Sequence, residues 1–537
     1  MNETEDVPVL IVGAGPVGLS MALLLGRFGI RSVIVERRRA LSPHPRARFV
    51  NARTMEILRQ LGLEEAARKV AIPDGVATCV LWTPVLVAPE VKRVEIESLG
   101  PATGEPLSPS PGITTSQDRL DPILRQAVVA RGRTDIRSGW RLVELAQDGQ
   151  SVSAACTDEA TGETRTIRAS YLVAADGANS TVRELLQIER EGPAFLGHSI
   201  NIHFRADLRA ALRGRPVNMA MILNPAQSGL LLNIDGAQRW TAQAIYSPAA
   251  GHRVEDFTPD RCSSIVRTQV GVPDLPVEVI GVAPWASAAQ VATRFSVGRV
   301  FLAGDSAQEM PPAGGFGMNT GIQEAHNLAW KLAAVLNGWA GPSLLETYDT
   351  ERRPIGQWVT RQALLNLTSV GRIESPDGSP TQVKLGRPEF FRELGLVFGA
   401  TYPEGAVIAD GGASAAESGS VVDYRPAASP GSRAPHCWME VDGERVSTLD
   451  LWGDGFTVLA SVSATAWRAE IETVAKSSRI PLRTLSCADE SVAELYGLGK
   501  GGAVLVRPDG YVAWRSANSP AAMPVAEALR SVVRSAQ

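Results

Sequence analysis

The segment Val9-Leu-Ile-Val-Gly-Ala-Gly-Pro-Val-Gly18 decides the fold of this chain. Its apolar start predicts a strand that is buried on both faces, and the residues after it predict a helix. Gly13, Gly15 and Gly18 match the GxGxxG pattern of dinucleotide-binding folds. The first glycine allows a tight turn, the second lets the backbone approach a pyrophosphate, and the third lets the helix pack closely on the strand. A glycine-rich turn without a ligand is the alternative.

The residues around this motif extend the prediction of a dinucleotide site. The helix begins with Pro16 and Val17, and its free N–H groups suit a phosphate. Glu36 ends the second predicted strand, at the place where an acidic side chain accepts a hydrogen bond from a ribose hydroxyl. Arg37 and the two arginines after it either contact the adenosine or form a solvated positive turn. This motif does not separate NAD from FAD.

A second glycine-centred segment lies nearly three hundred residues further on. It reads Gly298-Arg-Val-Phe-Leu-Ala-Gly-Asp305 and is followed by Pro311-Pro-Ala-Gly-Gly-Phe-Gly-Met-Asn319. A strand is expected over 295–303 and a helix over 321–336. The carboxylate of Asp305 suits a polyol, and the N–H groups of the loop, with the helix dipole, suit a negative charge. The two segments together predict one long dinucleotide that is bound at two points, although an ordinary strand-turn-helix remains the alternative.

With these motifs the chain resembles the FAD-dependent aromatic hydroxylases, which are single-component flavoprotein monooxygenases, and especially the bacterial polyketide hydroxylases. The resemblance implies an α/β fold with a Rossmann-type, glutathione-reductase-like FAD-binding domain, an inserted β-sheet substrate domain and a C-terminal thioredoxin-like domain. It implies FAD as the cofactor, NADPH or NADH as a transient electron donor, and dioxygen as co-substrate. The expected reaction is hydroxylation of an aromatic polycyclic phenol through a flavin C4a-hydroperoxide. A Baeyer–Villiger or oxidative-rearrangement monooxygenase, a non-oxygenating flavin reductase and an intermediate-holding flavoprotein are the alternatives.

The same resemblance assigns roles to the second segment. Asp305 holds the ribityl hydroxyls, Gly304 before it is also implied in cofactor binding, and the loop 312–319 faces the flavin ring. The loop residues implied in cofactor binding are Pro312, Gly315, Gly317, Met318 and Asn319. Two positions depart from the family pattern, because Gln308 stands where the family usually has His and Glu324 where it usually has Asp.

Three further segments carry the resemblance to the cofactor site. The first is Ala174-Ala-Asp-Gly-Ala-Asn-Ser-Thr-Val-Arg183, whose serine and threonine also predict a helix cap. The second is Pro45-Arg-Ala47, and the third is a glutamine before a predicted helix. The cofactor-binding residues implied here are Asp176, Gly177, Arg183, Arg46 and Gln117; for the isolated Arg46 and Gln117, a surface position is an equal alternative.

Substrate is expected to contact the sheet domain and the flavin-facing loop. The candidates are large apolar side chains that suit an aromatic ligand: Trp82, Met221, Trp240, Tyr246, Trp285 and Phe316. For those in the sheet domain, an ordinary core position is the more frequent alternative. No side chain is required as a nucleophile, and the sequence names no catalytic base.

The chain of 537 residues is too long for one ordinary domain. We expect the FAD-binding domain to comprise 1–75, 113–187 and 290–370, and the substrate-binding sheet domain to comprise 76–112 and 188–289. A connector is expected over 371–432, and a thioredoxin-like domain over 433–537. This last domain lacks CxxC, so thiol–disulfide exchange is not expected.

Composition excludes several classes of function. The net charge of −4 provides no basic surface for nucleic acid. Five widely spaced cysteines predict neither a disulfide framework nor a metal site, and favour a reduced cytoplasm. The apolar run over 7–26 is not interpreted as a membrane span or signal peptide, because acidic residues precede it and glycines interrupt it. We expect a cytoplasmic monomer or homodimer.

Overall fold

The computed structural model describes residues 4–96, 106–369, 372–373, 383–384, 393–410, 420–464, 471, 473–474, 479–517 and 523–534. The predicted connector therefore lies partly outside the described residues. The α-helices in these ranges are α1 (Pro16–Arg27), α2 (Ala52–Gln60), α3 (Glu64–Lys69), α4 (Gln117–Arg131), α5 (Thr181–Leu185), α6 (Arg209–Leu212), α7 (Pro259–Val270), α8 (Phe316–Leu336), α9 (Thr347–Thr368), α10 (Leu394–Phe398), α11 (Glu490–Leu495) and α12 (Val525–Val533).

A mixed sheet forms the centre of the molecule. Its main strands follow the order Ser296–Val297, Val300–Leu302, Thr164–Ala174, Thr4–Val12, Ser32–Glu36 and Thr134–Ser138. The last five of these are parallel to their neighbours, as connections through helices such as α1 require. Val152–Asp158 pairs antiparallel with Thr164–Ala174 and also with Trp140–Gln147. The carboxyl ends of the parallel strands therefore collect the turns that follow Val12, Ala174 and Leu302 at one edge of the sheet.

The helices α1 and α8 lie so close to each other and to the central sheet that only glycine fits at two of the contact positions. A Cβ atom on Gly18 would lie 2.0 Å from the carbonyl oxygen of Gly13. A Cβ atom on Gly321 would lie 2.6 Å from Cγ2 of Val17 and 2.9 Å from Cα of Gly304. The two glycine-centred segments are therefore direct neighbours. The predicted helix of the second segment begins earlier than expected, at Phe316 inside the glycine-rich loop.

A second, seven-stranded sheet covers one side of this edge. Its strands follow the order Glu278–Ser287, Gly197–Arg205, Arg239–Ile245, Gly229–Asn233, Val217–Ile222, Cys79–Thr83 and Lys92–Glu95. One face packs against α7 in a core that includes Ile200, Phe204 and Val266. Because side chains alternate along a strand, the intervening residues point to the opposite face. Four short antiparallel strand pairs lie outside the two large sheets. They are Phe49–Val50 with Ile113–Thr114, Arg190–Glu191 with Gln290–Ala292, Gln290–Ala292 with Gln308–Glu309, and Arg372–Ile373 with Val383–Lys384.

The C-terminal unit contains a four-stranded sheet. The strand order is Leu482–Cys487, Phe456–Ser461, Ala503–Val506 and Val512–Ser516, and a separate hairpin joins Trp438–Val441 to Glu444–Ser447. Phe456 and Val458 share a core with Trp330 of α8 and with Trp339. The unit therefore packs on the back of the helix that carries the second glycine segment. Among the described helices, none has both the length and the apolar character that a bilayer span requires.

Candidate active site

The first glycine segment forms an open turn at the N-terminus of α1. Gly13 has a φ of +105°, and a Cβ atom there would lie 2.3 Å from the carbonyl oxygen of Ala175. Gly15 is the N-cap of α1 and has no side-chain cap, and nothing lies within 4 Å of the position of its missing Cβ. The first N–H groups of α1 therefore border an open space. This is the geometry that a pyrophosphate needs in order to bind a helix N-terminus.

Glu36 lies beside this turn, as predicted from its position at the end of the second strand. One carboxylate oxygen accepts a hydrogen bond from the N–H of Ala14 at 2.8 Å, and the other from the N–H of Arg38 at 2.8 Å. The carboxylate thus stabilises the glycine turn, and each oxygen retains a lone pair for a further donor. The side chains of Arg37 and the two arginines after it are exposed.

The Asp-Gly segment follows the neighbouring parallel strand and lies against the first turn. Asp176 Oδ2 accepts from the N–H of Val182 at 3.2 Å, while its buried Oδ1 has no hydrogen-bond partner among the described residues. Burial raises the pKa of this carboxyl. Arg183 is almost fully buried, and its guanidinium donates to the carbonyl oxygens of Ser306 at 3.0 Å and Ala178 at 2.7 Å. Arg183 therefore connects the Asp-Gly turn to the turn that contains Asp305.

Asp305 follows the parallel strand Val300–Leu302 and lies near the N-terminus of α8. Its side chain is exposed, and no hydrogen bond from a residue in the described ranges reaches its carboxylate. A Cβ atom on Gly317 would lie 3.8 Å from Asp305 Oδ1. Loss of solvation raises the pKa of Asp305 to about 6, the charge of Glu309 adds to this shift, and the charge of Arg46 opposes it. Because the carboxylate is both accessible and crowded by protein atoms, it lies in a groove, where a polyol can donate to it.

The loop 312–319 gives the helix α8 an open N-terminus. Gly314 and Gly315 have φ values of +110° and +69°, which favour glycine, and Gly315 is an N-cap without a side-chain hydrogen bond. The N–H groups of the first turn of α8, including those of Gly317 and Met318, are thus available to a ligand. The Met318 side chain itself lies in the core. Cofactor contact at this position is therefore expected from the backbone.

The side chain of Asn319 is engaged in hydrogen bonds within the protein. Its Oδ1 accepts from the N–H of Asn51 at 3.0 Å, and its Nδ2 donates to the carbonyl oxygens of Phe49 at 2.9 Å and Gly315 at 2.7 Å. These bonds use both N–H groups of the amide. The Asn319 side chain therefore holds the loop to the strand Phe49–Val50, and cofactor contact at this position, as at Met318, is expected from the backbone.

The two departures from the family pattern lie in direct contact. Gln308 Nε2 donates to Glu324 Oε1 at 2.8 Å, and the N–H of Gly304 donates to Glu324 Oε2 at 2.7 Å. Glu324 is completely buried. Burial raises its pKa to about 7, although the charge of Arg352 and both hydrogen bonds oppose the shift. The pair therefore supports the turn that carries Asp305, and its carboxyl is close to titration at neutral pH.

Arg46 and Gln117 lie at the junction of the two sheets. The side chain of Arg46 is exposed, and Asp305 and Asp121 both lie within electrostatic range of it. Gln117 begins α4, and its Nε2 donates to Asp121 Oδ2 at 3.0 Å. Burial raises the pKa of Asp121 to about 7. Arg46 is thus placed where a bound ligand with negative charge near Asp305 would meet it.

The second sheet presents one face to this junction, which we call the open face. The cross-strand register places Trp82 beside Met221 on this face, with Trp285 further along it. Trp285 Nε1 and Gln243 Nε2 both donate to Asn201 Oδ1, at 3.0 Å and 3.3 Å. The open face therefore combines an apolar surface with a small group of hydrogen-bonded amides, as a site for a polycyclic ligand does.

Three of the predicted substrate residues do not lie on the open face. Trp240 is completely buried in the core that packs against α7, and Tyr246 lies in the same core. Trp240 pairs with Phe204, so the alternation of the strand points it away from Trp285. Phe316 is 4% exposed and packs against α9 and Tyr402. Trp82 has its side chain on the same side of the sheet as Met221, but it is only 1% exposed and packs in a separate core cluster with Val80. The predictions for Trp82, Trp240, Tyr246 and Phe316 are corrected, because their side chains are core residues.

Polar residues on the open face were missed from sequence. Arg239 donates from Nε to His203 Nε2 at 3.3 Å and forms an ion pair of 2.6 Å with Asp118 of α4. Burial and the charge of Arg239 lower the pKa of His203 to about 4. The imidazole is therefore neutral and carries its proton on Nδ1. The available signal was the alternation within His198-Ser-Ile-Asn-Ile-His-Phe204, in which polar residues occupy every second position of a strand with an apolar core face.

Comparison with known proteins places this geometry in context. A family model described as an FAD binding domain matches residues 6–363, and one described as the C-terminal part of aromatic-ring hydroxylases matches residues 427–536. A putative polyketide hydroxylase of Streptomyces halstedii is 42% identical, and the alignment covers 99% of this chain and 97% of that protein. Tetracenomycin A2 monooxygenase-dioxygenase of Streptomyces glaucescens is 39% identical, with coverage of 96% and 94%.

A solved structure is similar over the whole chain. The crystal structure of a ternary complex of aklavinone-11 hydroxylase with FAD and aklavinone matches with a TM-score of 0.87 and 35% identity, and the match covers 100% of both chains. This agreement confirms the predicted fold class.

The open space at Gly15 provides a test of the phosphate site. A Gly15→Val variant is expected to fold normally, since the φ of −76° and ψ of −179° suit valine and no protein atom lies near the new side chain. The added methyl groups occupy the space that a pyrophosphate needs, so the Kd for FAD is expected to rise at least about tenfold, or ~1.4 kcal/mol. Fluorescence titration with FAD measures this. Gly149→Val is the matched control, because Gly149 also has open space but lies in a remote turn. Equal Kd values for both variants would contradict the assignment.

The buried carboxyl of Glu324 predicts a pH dependence of stability. Its pKa is raised to about 7, so the folded protein holds this proton more tightly than the unfolded chain does. The resulting stabilisation is complete below about pH 4.5 and is lost as the pH rises to about 7, with a size of about 3 kcal/mol. Glu324→Gln keeps an acceptor but does not titrate. Chemical unfolding at a series of pH values should show the parent losing more stability than the variant between pH 5 and 8. Parallel pH profiles would be the contrary result.

Proposed function

The chain belongs to the family of FAD-binding aromatic-ring hydroxylases, and from this premise we propose that it hydroxylates an aromatic polyketide-type phenol. The prediction of an FAD-binding monooxygenase is confirmed at the level of this family. The proposed electron donor is NADPH or NADH, and dioxygen is the proposed oxidant. We place the reaction in the cytoplasm, an assignment that fits five cysteines without disulfide partners.

One observation carries the proposal: three features suited to FAD lie along one edge of the central sheet. These are the open N-terminus of α1 at Gly15, the accessible carboxylate of Asp305, and the uncapped N-terminus of α8 at Gly315. The first suits a pyrophosphate, the second suits ribityl hydroxyls, and the third suits the electron-rich end of a flavin ring. Glu36 lies beyond the first of these, where a ribose hydroxyl can donate to it. The residues therefore fit FAD from its adenosine end to its ring.

FAD supplies the redox chemistry that activates dioxygen in this family, and the protein supplies binding, orientation and exclusion of water. In the proposed site, the first turn of α8 binds the flavin ring through backbone N–H groups. Arg46 supplies positive charge beside Asp305. Asp176, with its buried and unpartnered Oδ1, borders the phosphate turn. Arg183 is proposed as a positioning residue, since its guanidinium is bound to two carbonyl groups.

The open face is the proposed substrate surface. Met221 and Trp285 provide apolar area for a polycyclic ligand, and the amides of Asn201 and Gln243 provide polar contacts. The structurally similar hydroxylase was solved with aklavinone bound, and a relative is described as a putative polyketide hydroxylase, which together support this substrate class. The neutral His203 lies at the polar end of the face and holds its proton on Nδ1, where a substrate oxygen can accept it.

A test of the reaction begins with FAD uptake. Purified protein should bind FAD and lose the yellow absorbance when NADPH or NADH is added without oxygen. With a panel of polycyclic phenols that starts with aklavinone, and with isotopically heavy dioxygen, the product should contain one labelled oxygen in a new hydroxyl group. Mass spectrometry and nucleotide consumption measure this.

Each other outcome of that experiment selects an alternative. A labelled ring-expanded ester indicates a Baeyer–Villiger reaction, and nucleotide oxidation without labelled product indicates a reductase. A flavin that neither nucleotide reduces, even with candidate substrates present, indicates a protein that holds an intermediate. Folded protein that takes up no FAD would overturn the proposal completely.

The corrected substrate surface gives a further prediction. Met221→Ala removes apolar contact from the open face, so kcat/KM is expected to fall about five- to thirtyfold, equivalent to about 1–2 kcal/mol. Trp240→Phe is the comparison variant, because this side chain lies in the core on the opposite face. It is expected to lower the free energy of unfolding by about 1–3 kcal/mol and to leave KM unchanged. Steady-state kinetics and chemical unfolding of both variants measure these effects. A KM that is raised in Trp240→Phe alone would contradict the assignment of Trp240 to the core face of the sheet.

A further inference from the structure

The C-terminal unit sends one turn deep into the cofactor-binding half of the molecule. This turn, Arg507-Pro-Asp-Gly-Tyr511, links the strands Ala503–Val506 and Val512–Ser516. The side chains of Arg507 and Asp509 are 0% and 1% exposed. Such complete burial of charged groups is rare unless they are paired, and it requires specific partners in the surrounding helices.

Those partners lie on α8 and α9. Arg507 forms two hydrogen bonds of 2.9 Å to the two carboxylate oxygens of Glu351. Lys331 of α8 also contacts Glu351, at 2.8 Å, and Asn327 donates to it at 2.6 Å. Although burial opposes ionisation, the charges of Arg507 and Lys331 lower the pKa of Glu351 to about 2. One buried carboxylate thus joins α8, α9 and the C-terminal turn.

The other end of the turn reaches the flavin-facing loop through aromatic contacts. The Tyr511 ring stacks on Tyr402 with a centroid distance of 4.3 Å. Both rings lie in one core cluster with Phe316, the first residue of α8. Arg352 of α9 donates to the Tyr402 hydroxyl at 3.1 Å and to the Thr320 carbonyl oxygen at 3.4 Å. The side-chain support of the first turn of α8 therefore includes residues from the C-terminal unit.

A buried ion cluster is poor evidence of net stabilisation, because desolvation offsets much of its Coulomb energy. It is effective at fixing geometry, since any displacement separates charges that have no access to water. The cluster at Glu351 fixes α8 along its length, and the stacked rings fix its N-terminus. Both restraints act on the helix whose first N–H groups face the proposed flavin ring.

We propose that the turn Arg507–Tyr511 is a positioning element of the flavin site, through which the C-terminal unit sets the place of the first turn of α8. This inference rests on the proposed function of the α8 N-terminus as the binding site for the flavin ring. Tyr511 is the positioning residue at the ring end, and Arg507 is the positioning residue along the helix. Both side chains are buried and act on the site through α8.

The test compares Tyr511 variants in the full-length, FAD-loaded protein. Tyr511→Leu keeps apolar volume but removes the stacked ring, so the Kd for FAD is expected to rise about fivefold or more. The reduction potential of the flavin should shift, and a larger share of the consumed nucleotide should yield hydrogen peroxide. Tyr511→Phe keeps the ring and is expected to restore all three values to within about twofold of the parent. Tyr511→Ala should behave as Tyr511→Leu, and the leucine variant decides the matter where the alanine variant does not fold.

Asp450→Asn is the matched control at the same interface. It removes the partly exposed ion pair between Arg59 of α2 and Asp450 of the C-terminal unit. These two side chains bond to each other, to Glu64 and to Ser447, and none of these residues belongs to α8. Its Kd for FAD and its flavin potential should match those of the parent. A Tyr511→Leu variant with parental FAD affinity and potential overturns the inference, and so does a control that changes them equally. A parent protein without FAD uptake would instead refute the proposed function itself.

Discussion

The two halves of the proposed cofactor groove meet through a backbone approach that only glycine permits. Gly18 lies against the carbonyl of Gly13, and Gly321 lies against Val17 and Gly304. A single methyl group would lie only 2.0 Å from another atom at Gly18 and 2.6 Å at Gly321, well inside ordinary contact distances of about 3.5–4.0 Å. The turn after Val12 and the turn after Leu302 are consequently held side by side. Every other feature of the groove depends on this contact, because a long dinucleotide must bind both turns at once.

The backbone of the site could be predicted from sequence, whereas the direction of its side chains could not. Glycines at fixed spacing carry their own geometric reason, so the open turn at Gly15 and the position of Asp305 followed from the motif. Trp240, by contrast, has the composition of a ligand-binding residue and the position of a core residue. Strand alternation separates two faces but does not say which face meets the cofactor. Only the register with Phe204 assigned Trp240 to the core.

The same limit explains the polar residues that sequence reasoning missed. Asn201 and His203 alternate along their strand with fully buried apolar residues and therefore point to the opposite, open face of the sheet. Each of these polar side chains needs a hydrogen-bond partner on that face. Those partners are Trp285, Gln243 and Arg239, and the strands that carry them are distant in sequence. The departures at Gln308 and Glu324 show the reverse case. As separate residues they were unexplained, but a hydrogen bond of 2.8 Å makes them one unit that supports Gly304.

The C-terminal unit shows how a domain without catalytic groups can bear on a reaction. Cys487 is buried and Cys437 is partly buried, and loss of solvation raises the pKa of both thiols, that of Cys437 to about 11, which disfavours the reactive thiolate. The unit instead places a guanidinium against Glu351, in the space between α8 and α9. A hydrophobic residue there could match the stability of the ion cluster, but it would tolerate sliding of the helices, which ion pairs without access to water resist. The presence of four buried charged groups at this position is therefore better explained by the geometry of α8 than by the stability of the fold. An open helix N-terminus must be held in a fixed position in order to bind one part of a flavin ring.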